Sequence, residues 1–499
     1  MSFSGILIAN RGEIAIRIAR AASDLGIRSV AVFSSDDESS LHVIKSDERV
    51  LLPGKGAAAY LDMDSIISAA KKNNCDAIHP GYGFLSEQAD FAKKCELEGV
   101  TFIGPKEKHL RLFGDKGAAR DAARSASVPV LNGINQSITL EEAESFFEDV
   151  KGSILVKAIA GGGGRGTRLV TRKSELREAF ARCQAEASVA FGCKDLYVEE
   201  YLHQARHIEI QIVGDGSGNI VELGERECSV QRRNQKVIEI APCPNLSQSL
   251  RQDIVASAIR LAKAQGYLSL GTFEFLVELN STDPKFFFIE ANARLQVEHT
   301  VTEEIMGLDL VRSQIQIAQG LTLKDLRLDN INSNNRVGFA IQARVNMEKI
   351  KSDGTVLPSS GVLSAYEPPS GPGVRVDGFG YAGYRTNTLF DSLLAKVIVR
   401  DNSPYLENAI RKMVRALSEF RLEGVQSNLS FLKNILSHTD FVNCSITTRW
   451  VDEHKEELGM PWLGRNLLPE LPEQRLANDA AVVKVDSNDP LALFNYESD

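Results

Sequence analysis

The hydrophobic positions of the first hundred residues fall into short solid runs separated by stretches of wider spacing. GILIAN (residues 5–10), SVAVFS (29–34), DAIHPG (76–81) and VTFIG (100–104) read as strands, while EIAIRIARAASDLG (13–26, stopped by Gly26) and DSIISAAKKNN (64–74) carry helical spacing. Strands alternating with helices predict right-handed crossovers and a parallel sheet. The loop NRGE after the first strand has one glycine where a dinucleotide fingerprint needs three, which argues against NAD.

The pattern changes near Gly114. A helical stretch, DKGAARDAARSAS, leads to a smaller unit running from about Pro129 to His203. That unit holds the strand SILVKA, a glycine run at 161–164, a helix from Leu176 and the strand LYVEEYL. From Ala205 to about Glu457, strand signals (HIEIQIVG, GTFEFLVELN, FFFIEAN) mix with amphipathic helices. Beyond Trp462 the chain turns polar with scattered prolines, as a tail or linker without its own core would. The expected units are 1–115, 116–204, 205–457 and 458–499, in a protein of α/β and α+β class.

Composition narrows the function. With 43% hydrophobic and 25% charged residues the chain reads as globular rather than disordered. A net charge of −9 argues against a nucleic-acid surface. Its 7 cysteines form no C-x-x-C pair, which indicates neither zinc nor a redox motif and fits a reducing compartment. There is no basic leader and no apolar run of the ~20 residues a membrane helix needs. The expectation is a cytoplasmic location without a membrane, a mitochondrial matrix location remaining open.

Three segments carry chemistry. KAIAGGGGRGTR (157–168) places glycines after a strand, where bare N–H groups can approach a polyphosphate, with Lys157, Arg165 and Arg168 adding charge. The bland alternative is a flexible surface loop. In GTFEFLVEL and FFFIEANARLQVEH, Glu274 lies on one strand, and Glu290 and Asn292 end another. If the strands pair, these oxygens can converge on magnesium. The alternative, a solvent face, fits poorly with the bulky apolar residues around both glutamates. RECSVQRRNQK (226–236) gathers Arg226, Arg232, Arg233 and Lys236, and Arg294, Gln296 and Glu298 follow downstream. That set is either a solvated cationic face or a pocket for a small anion such as bicarbonate, with Glu298 placed to take its proton. Cys228 reads as a buried structural thiol in preference to a nucleophile activated by the nearby cations.

Together these segments resemble the biotin carboxylase family of the ATP-grasp superfamily. The likeness runs from the start to about Glu457 on ordered motifs: IANRGEIAIRIARA, HPGYGFLSE, FIGP, GDK, KAIAGGGGRG, RHIEIQ, RECSVQRRNQK, GTFEFL, EANARLQVEHTVTE, QARVN and FDSLLAKV. The resemblance implies an ATP-grasp fold with an N-terminal Rossmann-like, doubly wound parallel sheet. It implies that Lys116 and Lys157 contact ATP phosphates, that His207 and Gln231 lie near the ribose, and that Glu199 and Leu202 lie at the adenine. Gly162, Gly163, Gly164 and Gly166 would belong to a closing lid. Glu274, Glu290 and Asn292 would hold magnesium or manganese. Lys236, Arg294, Gln296 and Val297 would bind bicarbonate, with Glu298 as its base. Arg344 would stabilise the biotin enolate, and Tyr82 would lie near the ureido ring.

The implied activity is ATP-dependent carboxylation of biotin, a substrate carried on a separate carrier domain, as the first half-reaction of an acyl-CoA carboxylase. The alternatives are the same step in a pyruvate or urea carboxylase or, last, a non-catalytic nucleotide-binding scaffold, which would show a broken site. A carboxyltransferase partner and a homo-oligomer are also implied. Asn234, Glu200 and Thr167 depart from the residues common in the family, and Asn234 cannot titrate as the usual histidine can. No biotinylation motif occurs: Lys412-Met413 has the wrong flanks. The expectation is a separate subunit or the front piece of a longer polypeptide.

Overall fold

The computed structural model describes residues 2–159, 166–279, 284–331, 333, 336–351 and 353–464. The glycine run at 161–164 and the polar tail from 465 lie outside the described residues.

The opening third contains β1 (Gly5–Ile8), β2 (Arg28–Phe33), β3 (Glu48–Leu51), β4 (Ala77–His79) and β5 (Thr101–Phe102). They pair in parallel in the order β3-β2-β1-β4-β5. Ile6 and Ile8 enter one core with Ile14 and Ile18 of the helix Gly12–Asp24. Leu7 and Ala9 enter another core, with Ile66 and Ile67 of the helix Met63–Lys72. Burial on both faces explains the unbroken apolar runs, and the sheet is doubly wound as the pattern predicts. The edge strand β3 was missed: its residues ERVL are mostly exposed and carry no apolar run.

The smaller unit is a four-stranded antiparallel sheet of β6 (Gly133–Ile134), β7 (Ile154–Ala158), β8 (Thr167–Val170) and β9 (Leu196–Glu200), in the order β6-β9-β7-β8. The helices Leu140–Val150 and Lys173–Phe191 flank it. The first was not read from the sequence, although Thr139 and Glu142 form a reciprocal capping box.

The remaining chain forms one eight-stranded antiparallel sheet. Its strands are β10 (Ala205–Asp215), β11 (Ile220–Arg232), β12 (Gln235–Ala241), β13 (Leu268–Glu278), β14 (Phe286–Asn292) and β15 (Phe339–Asn346), and two later ones complete it. Two short ribbons accompany the sheet, β16 (Glu348–Ile350) with β17 (Val356–Pro358), and β18 (Ala365–Glu367) with β21 (Arg421–Glu423). With β19 (Val374–Gly378) and β20 (Leu393–Asp401) the sheet order is β14-β13-β10-β11-β12-β15-β20-β19. Ile208, Ile210 and Ile212 pack against Ile254, Ala258 and Leu261 of the helix Gln248–Ala264. Ile341, Val397 and Val399 pack against Ile410, Met413 and Leu417 of the helix Leu406–Glu419. Among the described residues no helix is long and apolar enough to cross a membrane.

Candidate active site

The strand HIEIQI alternates strictly, and its period of two divides the side chains. The isoleucines go to the core, and His207, Glu209 and Gln211 go to the opposite face. That face is also covered: Glu209 is 0% and Gln211 1% exposed. Across the ladder Arg226 stands opposite Glu209, Glu209 opposite Glu274, and Glu274 opposite Glu290. Gln211, Thr272 and Asn292 form the next row. Neighbouring buried carboxylates repel, so the arrangement requires cations.

Lys236 supplies one. Its ammonium lies 2.5 Å from Glu209, 2.9 Å from Glu274 and 2.6 Å from Glu298. Burial opposes its charge, but the three carboxylates hold it well above the ordinary lysine range. Arg226, 0% exposed, pairs with Glu209 and donates to Gln211 at 2.8 Å, Thr302 at 2.9 Å and Thr272 at 3.0 Å. Arg344 donates from Nε to Glu239 at 2.6 Å and from Nη2 to Glu298 at 3.0 Å. Burial would push the Glu298 carboxyl up; Lys236 and Arg344 more than reverse this and hold it well below the carboxylate range. Glu274 is likewise held low against burial, by Lys236 and His207.

The loop after β14 closes the cluster. Gln296 donates to Glu274 at 2.8 Å, and Arg294 donates to Asn292 at 3.0 Å and lies 3.2 Å from Glu87. His207 sits 2.6 Å from Glu274, which draws its pKa up against burial, and the Gln231 amide abuts its Nδ1 at 2.6 Å. Tyr82 is half-buried, donates to Glu13 and lies within electrostatic reach of Arg344.

Toward the smaller sheet, Lys116 begins the helix Lys116–Ser125, whose cap Asp115 accepts from Ala118 N–H. Burial lowers its pKa, with Glu290 opposing and Lys157 adding to the fall. Lys157 and Arg120 both pair with the Glu199 carboxylate, which is therefore committed to cations. Leu202 is half-buried in the link from β9 to β10. Gly166, with φ +67°, begins the return from the glycine run, and its carbonyl accepts from Ala158 N–H at 2.8 Å. Gly162, Gly163 and Gly164 lie outside the described residues.

The β13–β14 pairing that a divalent cation requires is present. Among the described residues the half-buried Glu290 carboxylate has no hydrogen-bond or ion-pair partner, although it lies near Lys116 and Lys157. Two in-register carboxylates, one of them unpaired, suit a hard cation. Asn292 is less free, because its oxygen accepts from Arg294.

The structure corrects one expectation, accounts for Asn234 and agrees with the reading of Cys228. The four cations of RECSVQRRNQK do not converge: Arg226 and Lys236 enter the cluster, Arg232 donates to Glu348 at 2.8 Å, and Arg233 is exposed. Asn234 occupies the two-residue turn between β11 and β12, where Arg233 and Asn234 have φ of 50° and 63°. Positive φ at both positions marks a type I′ turn, which asparagine favours, so the residue answers a backbone need. Cys228 is fully buried, and burial raises its thiol well above the ordinary range, consistent with an inert thiol. Glu209, Glu239, Arg120 and Lys396 were missed as parts of this network. The alternation in HIEIQI sets Glu209 on the face opposite the isoleucines, but it does not show that this face is covered.

Comparison with known proteins decides the family. Residues 2–110 match the biotin carboxylase N-terminal domain, 115–326 the carbamoyl-phosphate synthase L chain ATP binding domain, and 342–453 the biotin carboxylase C-terminal domain. The biotin carboxylase domain of Hydrogenobacter thermophilus 2-oxoglutarate carboxylase, solved with MgADP, ADP and bicarbonate, is 38% identical with a TM-score of 0.87. The match covers 92% of this chain and 99% of that one. The chain belongs to the biotin carboxylase family. Bacillus subtilis pyruvate carboxylase is 46% identical over 467 residues, 92% of this chain and 40% of that protein. A single-chain, multi-domain long-chain acyl-CoA carboxylase is 42% identical with a TM-score of 0.81, over 93% of this chain and 44% of that one. This biotin carboxylase chain thus spans about two-fifths of the length of its multi-domain relatives.

Proposed function

We propose that this chain carboxylates biotin with bicarbonate at the expense of ATP. The observation that carries the reading is the meeting of Lys236, Glu298 and Arg344 beside the Glu274–Glu290 pair. Lys116 and Lys157 are read as phosphate contacts, with the glycine run as a lid that excludes water. Glu274 and Glu290 would hold magnesium or manganese, whose charge offsets that of the triphosphate.

Lys236, Arg294, Gln296 and Val297 are read as the bicarbonate site. A bicarbonate oxygen attacks the γ-phosphorus while Glu298 takes the bicarbonate proton, the bond from the γ-phosphorus to ADP breaks, and carboxyphosphate forms. Its C–O bond then breaks to give CO₂ and phosphate, the phosphate takes the ureido N–H proton of biotin, and the nitrogen attacks CO₂. Arg344 offers a guanidinium to the enolate oxygen without surrendering a proton. Glu298 rests ionised between two cations and is a weak base there. Transfer of Lys236 to bicarbonate and of Arg344 to biotin would raise its basicity as the substrates arrive.

The carrier domain, a carboxyltransferase, self-association and a cytoplasmic or matrix location belong to the same proposal. So does the final acceptor. The expected acyl-CoA acceptor draws on the 42% identical carboxylase, and the pyruvate alternative on the 46% identical one. The decisive experiment measures ATP cleavage with bicarbonate and free biotin added in turn. Cleavage should require bicarbonate and rise with biotin; cleavage indifferent to both would overturn the reading.

A further inference from the structure

The segment FDSLLAKV places Lys396 on β20, opposite Arg344 on β15 and Asp377 on β19. Lys396 is 0% exposed. Its ammonium donates to the Val297 carbonyl at 3.1 Å and lies 3.1 Å from Glu13, which in turn accepts from the Tyr82 hydroxyl. The Tyr82 ring centroid is 6.0 Å away. A chain of polar contacts therefore runs from the backbone of the loop before Glu298, through two buried charges, to Tyr82. Burying a lysine costs free energy that a methionine would not, so the residue must be explained by what its ammonium holds.

Peptide geometry gives that explanation. In a trans peptide the carbonyl and the N–H of one unit point in opposite directions. Holding the Val297 carbonyl therefore aims the Glu298 N–H away from Lys396. One residue earlier, His299 Nδ1 lies 2.8 Å from the Gln296 carbonyl and orients the Val297 N–H in the same way. Among the described residues neither the Val297 nor the Glu298 N–H has a hydrogen-bond partner. Two successive free donors are available to a small anion.

We infer that Lys396 is a positioning residue for the bicarbonate step: it sets the peptide between Val297 and Glu298 and, through Glu13, ties that setting to Tyr82 on the biotin side. This rests on the proposed function. The test compares the full chain with Lys396→Met and with the double variant Glu13→Gln/Lys396→Met, which removes the partner left unpaired. KM for bicarbonate, free biotin and ATP and the urea midpoint are measured for each. Both variants should raise the bicarbonate KM roughly ten-fold or more, the size of one charge-assisted hydrogen bond, with the ATP KM within about two-fold of the parent. The double variant should regain much of the urea midpoint without regaining the bicarbonate KM. The proposal is overturned if the bicarbonate KM stays within about two-fold of the parent. It is overturned equally if all constants recover with stability in the double variant, or if neither variant folds. Absence of bicarbonate-dependent cleavage in the parent chain would instead sink the proposed function.

Discussion

Replacing Lys236 with methionine removes a charge and keeps most of the volume. In the folded chain its ammonium touches three buried carboxylates, Glu209 at 2.5 Å, Glu274 at 2.9 Å and Glu298 at 2.6 Å. Each keeps another partner in the variant: Arg226, His207 and Arg344 respectively. The fold should survive, at the cost of a broken buried ion pair, about 3–5 kcal/mol near neutral pH. The pH dependence follows from the shifts. Lys236 is held above its unfolded value, so its contribution is complete below about pH 10.4 and is lost as pH climbs through the raised value. Glu274 and Glu298 are held below theirs, so their share is present above about pH 4.3 and is lost as pH falls through the depressed values. Burial raises the Glu209 carboxyl instead, so its share begins to fade earlier on acidification. The destabilisation should be fullest from about neutral pH to about pH 10 and shrink on either side. Urea titrations of parent and variant at a series of pH values read it directly. Equal midpoints at neutral pH, or a gap that widens from neutral to acid, would refute the electrostatic reasoning.

Three further outcomes are expected. Glu298→Gln should lower kcat by about 10²–10⁴-fold while ATP affinity, measured by equilibrium binding, stays near the parent value; unaltered turnover would refute its role as base. Asn234→Val should lower the urea midpoint by the equivalent of about 1–3 kcal/mol because a β-branched residue resists positive φ, whereas Asn234→Gly should be tolerated. A thiol-alkylating reagent should leave Cys228 unmodified in the native chain and label it after denaturation, as mass spectrometry would show; native labelling with loss of activity would reopen the nucleophile reading.

The parallel sheet was legible because fully buried strands write their burial as continuous apolar runs. β3 was not, since an exposed edge strand carries no such run. The helix Leu140–Val150 was not legible from hydrophobic spacing, because its signal is the Thr139–Glu142 capping box, which spacing does not weigh. In the site, Glu274 and Glu290 were readable from their apolar flanks. Glu209 was not, because the alternation of HIEIQI normally means a solvent face, and only the folded chain places a second layer over it. The charge run at 226–236 misled for a related reason: a hairpin turn at Arg233 and Asn234 sends adjacent cations to different surroundings. Lys396 looked like a motif lysine of no stated purpose, and its partners Val297 and Glu13 are distant in sequence.

The central claim is that bicarbonate attacks ATP in the cleft around Lys236, Arg294 and Glu298. Bicarbonate labelled with ¹⁸O, supplied with ATP and free biotin and sampled before the label exchanges with water, tests it most directly. The phosphate released should carry one oxygen from bicarbonate, as collapse of carboxyphosphate requires. Phosphate whose new oxygen comes from water alone would contradict the account.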